Sequence, residues 1–345
     1  LFLTAEDADK FLGNQHSELA GYLFYNQDQI KRHPPNSSSA GSCSAMPAPL
    51  IKTNTCLYHF IRNFRFPTNS TMKSICHRLL QFIYSSIALW LFTSSNSYSQ
   101  KPPSSNYRLV WSDEFNYRGL PDPQKWNYDV GGHGWGNNEL QYYTEKRPEN
   151  ARVENGMLII EARKENFRDK QYTSARLVTK GKGDWKYGKI EVRAKIPDGR
   201  GTWPAIWMLA STNPLHWPDD GEIDIMEHVG WNPHYIHGSV HCKKYNHSIG
   251  TQKTDMVMVK NCFEKFHIYG VEWDEDRVLV SIDGIVYFEF KNEKSGYDAW
   301  PFDNKMHLLL NIAVGGNWGG SKGVDESIWP KKMMVDWVRV WEKKK

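Results

Sequence analysis

The sequence predicts an all-β fold, a sandwich or closed barrel of many short strands. Two observations lead there. From Tyr107 onward, apolar or alternating runs of strand length recur, punctuated by turn pairs such as Asn155-Gly156 and Asp283-Gly284. No long stretch repeats with a helical period.

The strands follow in chain order. Met157–Ala162 leaves the Asn155-Gly156 turn as an aliphatic run. Ser174–Thr179, Gly188–Ala194 and Ala205–Leu209 come next, separated by glycine-bearing turns, and then Ile223–Glu227 and His237–His241. Phe266–Trp273 precedes a hairpin in which Arg277–Ile282 and Ile285–Phe290 flank Asp283-Gly284. His307–Ala313 and Met333–Val340 complete the set.

Residues 1–100 have a different character. Positions 34–50 are rich in Ser, Pro, Gly and Ala without a period. From Met72 a basic head (Lys73, His77, Arg78) leads into a mostly apolar run, Leu79 to Phe92, and a small polar tail to Gln100. This is the layout of a secretory signal peptide, and the run is too short to span a bilayer. A helix packed on a domain is the competing reading. The organisation expected is therefore an upstream read-through or weakly ordered extension over 1–71, a signal peptide over 72–99 and one domain over 100–345. A secreted or periplasmic location follows. That domain retains Cys242 and Cys262, either bridged or free; two cysteines make no disulfide framework.

The formal charge of +4 over 345 residues offers no basic footing for nucleic acid. There is no Cys-x-x-Cys pair, Walker loop or strand-following Gly-x-Gly-x-x-Gly. Aromatic residues, at 14%, are the unusual feature.

The chemistry concentrates at Gly221-Glu222-Ile223-Asp224-Ile225-Met226-Glu227-His228. Acids alternate with apolar residues, as on a half-buried strand. Glu222 and Asp224 share a face; Glu227 is an odd number of steps from Glu222 and falls on the wrong one. An extra residue, a bulge at Ile225-Met226, would return it. The two glutamates would then be roughly 13 Å apart along the strand, and side chains covering about 8 Å would leave about 5 Å, the separation of retaining rather than inverting glycosidases. Crowded carboxylates repel, so chemistry explains them better than folding does. Trp135, Trp203, Trp207, Trp231, Trp318, Tyr142 and Tyr143 lie beside glycines or polar loops. Each alone reads as core packing. Together they favour a cleft in which flat rings cover sugar faces and polar groups take the hydroxyls.

Five segments carry a family resemblance: Trp111–Phe115, Gly136–Thr144, Gly201–Met208, Gly221–His228 and Asn311–Gly320. In order and spacing the stretch from Val110 to Trp341 resembles glycoside hydrolase family 16, and within it the bacterial laminarinase branch. The resemblance implies a β-jelly-roll of two curved antiparallel sheets with an open cleft, and hydrolysis with retention. It implies Glu222 as nucleophile, Glu227 as acid/base, and Asp224 as the hydrogen-bond partner that sets the ionisation of Glu222. Glu227 must then keep its proton near neutral pH and Glu222 must lose its own.

Around these, Asn138, Glu139, Trp135, Trp203, Trp207, His241, Asn246 and Trp318 are the implied substrate contacts. Cys242 stands where relatives usually carry Thr. The extra residue Met226 fits branches acting on β-1,3-glucan, although agar and porphyran enzymes share it. The implied partner is a β-glucan, met by a monomer without a membrane span. No cofactor is implied for catalysis; a structural calcium ion is, at Glu114, the Gly156 carbonyl and Asp336. Two other readings stay open: the same chemistry on mixed-linkage glucan or agar, and a non-catalytic β-glucan-binding protein.

Overall fold

The computed structural model describes residues 106–344. The extension over 1–71 and the signal peptide over 72–99 lie outside them. Among the described residues there are 18 strands and one 3-10 turn, His247–Ile249. No helix there is long and apolar enough to cross a membrane.

The strands form two sheets. The ten-stranded sheet contains β1 (Tyr107–Asp113), β3 (Gln141–Tyr143), β4 (Ala151–Glu154), β5 (Met157–Phe167), β6 (Lys170–Ser174), β9 (Gly188–Lys195), β14 (His267–Trp273), β15 (Arg277–Ile282), β16 (Ile285–Lys291) and β18 (Lys331–Lys343). The eight-stranded sheet contains β2 (Asn127–Tyr128), β7 (Arg176–Val178), β8 (Asp184–Trp185), β10 (Thr202–Ala210), β11 (Glu222–Glu227), β12 (Tyr235–His241), β13 (Lys253–Met258) and β17 (Met306–Val314). Both hairpin signals are realised. Asn155-Gly156 and Asp283-Gly284 take positive φ at both positions, as a type I′ turn requires. β18 pairs with β1, β5 and β9, so the last strand in chain order lies inside the larger sheet.

Alternation assigns the two faces of the smaller sheet. On β17, Met306, Leu308, Leu310, Ile312 and Val314 enter the core between the sheets, while His307, Leu309 and Asn311 face the other way. Because that second face is also covered, all nine residues of β17 are buried and the strand shows no polar alternation.

Two expectations need correction, and one strand is an addition. Ser174–Thr179 is not one strand: Ser174 ends β6 in one sheet and Arg176 begins β7 in the other. The chain turns a corner at Ala175, and residues 172–179 are buried throughout, so no change of period marks the switch. The ladders are not all antiparallel, since β3 runs parallel to β6. β13 was not expected, because its residues are almost all exposed and show no alternation. The two cysteines are free and fully buried, not bridged. Burial pushes both thiols up, that of Cys262 to about 12, so neither is a reactive thiolate.

β11 carries the expected bulge. Asp224 pairs with Ser239 and Glu227 with His237, so Ile225 and Met226 together oppose Gly238. Both enter the core with no exposure. Burying such side chains contributes roughly 1.5–3 kcal/mol each. A regular strand would instead drive Glu227 into the core, at a cost that outweighs the roughly 1 kcal/mol of a disturbed ladder bond. Tyr287, from β16, donates its hydroxyl to the Ile225 carbonyl across the core (3.4 Å). Gly238 makes room for it: a Cβ there would stand 2.8 Å from the Tyr287 oxygen. Gly238→Ala should therefore destabilise the fold by about 1–3 kcal/mol. In a double-mutant cycle read by denaturant unfolding, Tyr287→Phe should recover part of that loss. Strict additivity of the two changes would show that the hydroxyl does not sit against Gly238.

Candidate active site

Strand register lays out the floor of the site. Glu222 lies between His241 of β12 and Leu209 of β10, Asp224 between Ser239 and Trp207, and Glu227 between His237 and Ala205. β10 sets Leu209, Trp207 and Ala205 against His307, Leu309 and Asn311 of β17. β7 adds Val178 and Arg176 beyond Leu309 and Asn311. Residues opposite one another on an antiparallel pair share a face, so the three acids, their neighbours and these side chains form one surface.

Each terminal acid receives an indole N–H. Trp217 Nε1 donates to Glu222 Oε2 at 2.9 Å, and Trp203 Nε1 donates to Glu227 Oε1 at 2.9 Å. His241 Nε2 stands 3.2 Å from Oδ2 of Asp224 and 3.8 Å from Oε1 of Glu222. His241 packs in turn against Trp217 and His247. Burial first, and the neighbouring carboxylates next, push Glu222 and Glu227 up to about 8; burial alone lifts Asp224 to about 8 against its hydrogen bond with Glu222. Burial therefore does not separate an ionised Glu222 from a protonated Glu227. Trp217 and His241 favour the charge on Glu222, and Trp203 and His241 that on Glu227, while Asp224 opposes both; the bond with Glu222 favours the charge on Asp224. Glu222, Asp224 and His241 also have one ligand-type atom each within 4.8 Å of one another. With the carboxylates engaged in this way, the cluster is accounted for as an acid–base set.

The cleft wall is a hydrogen-bonded relay. Trp207 Nε1 donates to Asn311 Oδ1 (2.7 Å), Asn311 Nδ2 to the Tyr143 hydroxyl (3.0 Å), and that hydroxyl to Glu139 Oε2 (3.2 Å). Gln141 donates to the same Glu139 oxygen (2.6 Å) and accepts from the Val314 N–H (2.7 Å). Burial raises the Glu139 pKa, opposed by Gln141 and Arg176. The Arg176 guanidinium lies 4.5 Å from the Trp135 ring and 4.6 Å from that of Trp207, and its Nε is 3.0 Å from Asp129. This double cation–π contact ties the glycine-rich loop of Trp135 to the floor. Asn138 is exposed and bridges to Asn317 (2.9 Å). Trp318 sits edge-on to Trp203, with ring centroids 5.4 Å apart, and its carbonyl accepts from Trp231. Gly319 is forced by this packing, since a Cβ there would meet the Gly315 carbonyl at 2.6 Å and the Trp203 Cβ at 2.9 Å.

The structure thus brings together Glu222, Asp224, Glu227, His241, Trp203, Trp207 and Trp318, with Trp135, Asn138 and Glu139 on the wall. Asn246 does not join them. It is buried, its Nδ2 donates to the carbonyls of Cys242 and Lys243, and its Oδ1 caps the 3-10 turn through Ser248 N. A short polar side chain beside a tight turn was taken up by its own backbone. The calcium set is also rearranged. Both Glu114 oxygens accept from Arg339 (2.9 and 2.8 Å), Asp336 Oδ2 accepts from Arg193, and Gly156 lies in the exposed β4–β5 turn. Sequence reasoning missed Trp217, His237, Asn311 and Arg176. Arg176 was the most detectable, as a lone cation in the apolar run Ala175–Val178.

With the geometry in hand, comparison with known proteins is direct. The Glycosyl hydrolases family 16 sequence profile matches residues 138–339. The beta-glucanase of Rhodothermus marinus is 55% identical over 251 residues, covering 70% of this chain and 87% of its own. The solved laminarinase structure from Rhodothermus marinus superposes with a TM-score of 0.68 at 54% identity, covering 69% of this chain and 98% of that one. The structure of SCLam, a non-specific endo-beta-1,3(4)-glucanase, gives a TM-score of 0.67 at 50% identity, covering 71% and 94%. The two-sheet sandwich is accordingly a jelly-roll, and the chain belongs to the Glycosyl hydrolases family 16.

Proposed function

We infer that this protein is an endo-β-1,3-glucanase that hydrolyses internal bonds of laminarin-type glucans with retention at the anomeric carbon. The carrying observation is the bulged strand β11, which presents Glu222 and Glu227 on one face with an indole N–H on each. Ionised Glu222 attacks the anomeric carbon while Glu227 gives its proton to the departing glycosidic oxygen. The resulting glycosyl ester on Glu222 is cleaved by a water whose proton returns to Glu227. A proton on Asp224, shared with Glu222, holds the charge on the nucleophile. Trp203 and Trp318 offer ring faces to the sugar, and Asn138 and Glu139 take hydroxyls. Cleavage of mixed-linkage β-1,3-1,4-glucan is the second reading, favoured by the 50% identity to the non-specific SCLam. A polymeric substrate supports a location outside the cytoplasm, secreted or periplasmic.

Glu222→Gln and Glu227→Gln should each lower reducing-sugar release from laminarin by at least about a thousandfold with unchanged thermal unfolding. Ordinary turnover by Glu227→Gln would end the assignment. The indoles give a second check with a worked sign. Each N–H favours the charged form of its carboxylate, so its loss raises that pKa. Trp217→Phe should move the acid limb of the pH–rate profile upward, because activity needs Glu222 ionised. Trp203→Phe should move the alkaline limb upward, because activity needs Glu227 protonated. Unshifted limbs in both variants would separate the indoles from the ionisation. A structural calcium ion belongs to the same reading. Its oxygens would be Asp336 Oδ1 and main-chain carbonyls, Gly156 included, since arginines hold the other carboxylate oxygens. Chelation should then lower the unfolding temperature and added calcium restore it; an unchanged temperature would remove the ion.

A further inference from the structure

We propose that Tyr297 is a positioning residue for the reaction: through Asp220 it seats the loop that holds the Trp217 indole on Glu222. This rests on the hydrolase reading above. The loop, residues 211–221, joins β10 to β11 and ends at the nucleophile. One buried side chain closes it on itself. Asp220 Oδ2 accepts from the Thr212 hydroxyl and from the His216 N–H, both at 2.8 Å. Leu215 packs against the floor cluster of Val178, Leu209 and Leu309. Trp217 follows, 39% exposed, its ring meeting those of His241 and His247 at 6.3 and 5.0 Å. A half-exposed indole has little packing to fix it, so the backbone of the loop sets where its N–H points.

The other oxygen of Asp220 is held from outside the loop. Tyr297, in residues 292–305 between β16 and β17, donates its hydroxyl to Asp220 Oδ1 (3.0 Å). Asn304 Nδ2 donates to that hydroxyl (2.7 Å), which leaves the Tyr297 hydrogen for the carboxylate. Burial would raise the Asp220 carboxyl, yet its hydrogen bonds outweigh burial and hold the pKa below the ordinary value. The acceptor is therefore charged, and bonds to it are the strong kind. The two segments meet closely: a Cβ on Gly221 would stand 2.8 Å from Pro301 Cγ. Lys243 also spans them, between Asp219 and Asp298, but these exposed pairs contribute little. Tyr297 is itself 49% exposed and fills no core space, so its hydroxyl is what it brings. Contacts thus run without a break from the β16–β17 connection through Asp220 and Trp217 to Glu222.

The test is a pH profile of kcat/KM on laminarin with the full-length protein. Tyr297→Phe removes one hydroxyl and opens no core space. It changes none of the titratable groups that face Glu222, which are Asp224 and Glu227 of its own strand and His241 of β12. The variant should raise the acid limb by about half a pH unit, part of the shift given by Trp217→Phe. The alkaline limb should stay, since Trp203 holds Glu227 from another element. In Trp217→Phe/Tyr297→Phe the second change should add no shift, because no indole N–H remains to be seated. Tyr245→Phe is the control. Its hydroxyl bonds Glu293 of the same connection (2.7 Å) and not the loop, so both limbs should stay in place. An unmoved acid limb in Tyr297→Phe, an additive shift in the double variant, or an equal shift in Tyr245→Phe would overturn the proposal. A wild-type protein that leaves laminarin intact would instead overturn the hydrolase reading.

Discussion

Everything in the site depends on one disturbed ladder. Between Asp224 and Glu227, β11 takes two residues where β12 takes one, and the side chains of both, Ile225 and Met226, go into the core. The bulge reconciles two demands that a regular strand cannot meet together: apolar cover for the space between the sheets, and a second glutamate on the open face. Its support comes from a distance. Tyr287 reaches the bulge carbonyl from the opposite sheet, and Gly238 clears the path. The position of Glu227 is thus fixed by residues on the core side of the sheet.

The site is otherwise an arrangement of N–H donors around acids held short of solvent. Burial is the largest cause that raises each of the three carboxylates. The N–H donors beside them come from separate elements. Trp203 is on β10, Trp217 in the loop before β11, and His241 on β12. The wall relay through Asn311, Tyr143, Glu139 and Gln141 does the same for the cleft side, leaving each polar group satisfied and each ring fixed.

Much of this was written in the chain. The acids, their face and the bulge could be read at Glu222–Glu227, because period-two alternation and the parity of one misplaced glutamate are local facts. The hairpins could be read at Asn155-Gly156 and Asp283-Gly284 for the same reason. What escaped was long-range. His237 gained meaning only from its register with Glu227, and Arg176 from two tryptophans on other elements. The corner at Ala175 left no trace because the residues on both sides of it are buried. The loop clamp at Asn246 was not legible because a cleft contact and a clamp look alike in sequence, nor were the arginine partners of Glu114 and Asp336, which come from distant strands.

The placement of β18 has a consequence for how the chain becomes a protein. Hydrogen-bonded to β1, β5 and β9, it completes the middle of a sheet whose other strands all precede it. Until residues 331–343 have left the ribosome, β9 and β5 have nothing between them and β1 has no partner. The larger layer cannot assemble progressively during synthesis. It must wait, open, for its keystone, and contacts joining positions more than two hundred residues apart, such as Tyr107 with Lys343, form late and slowly.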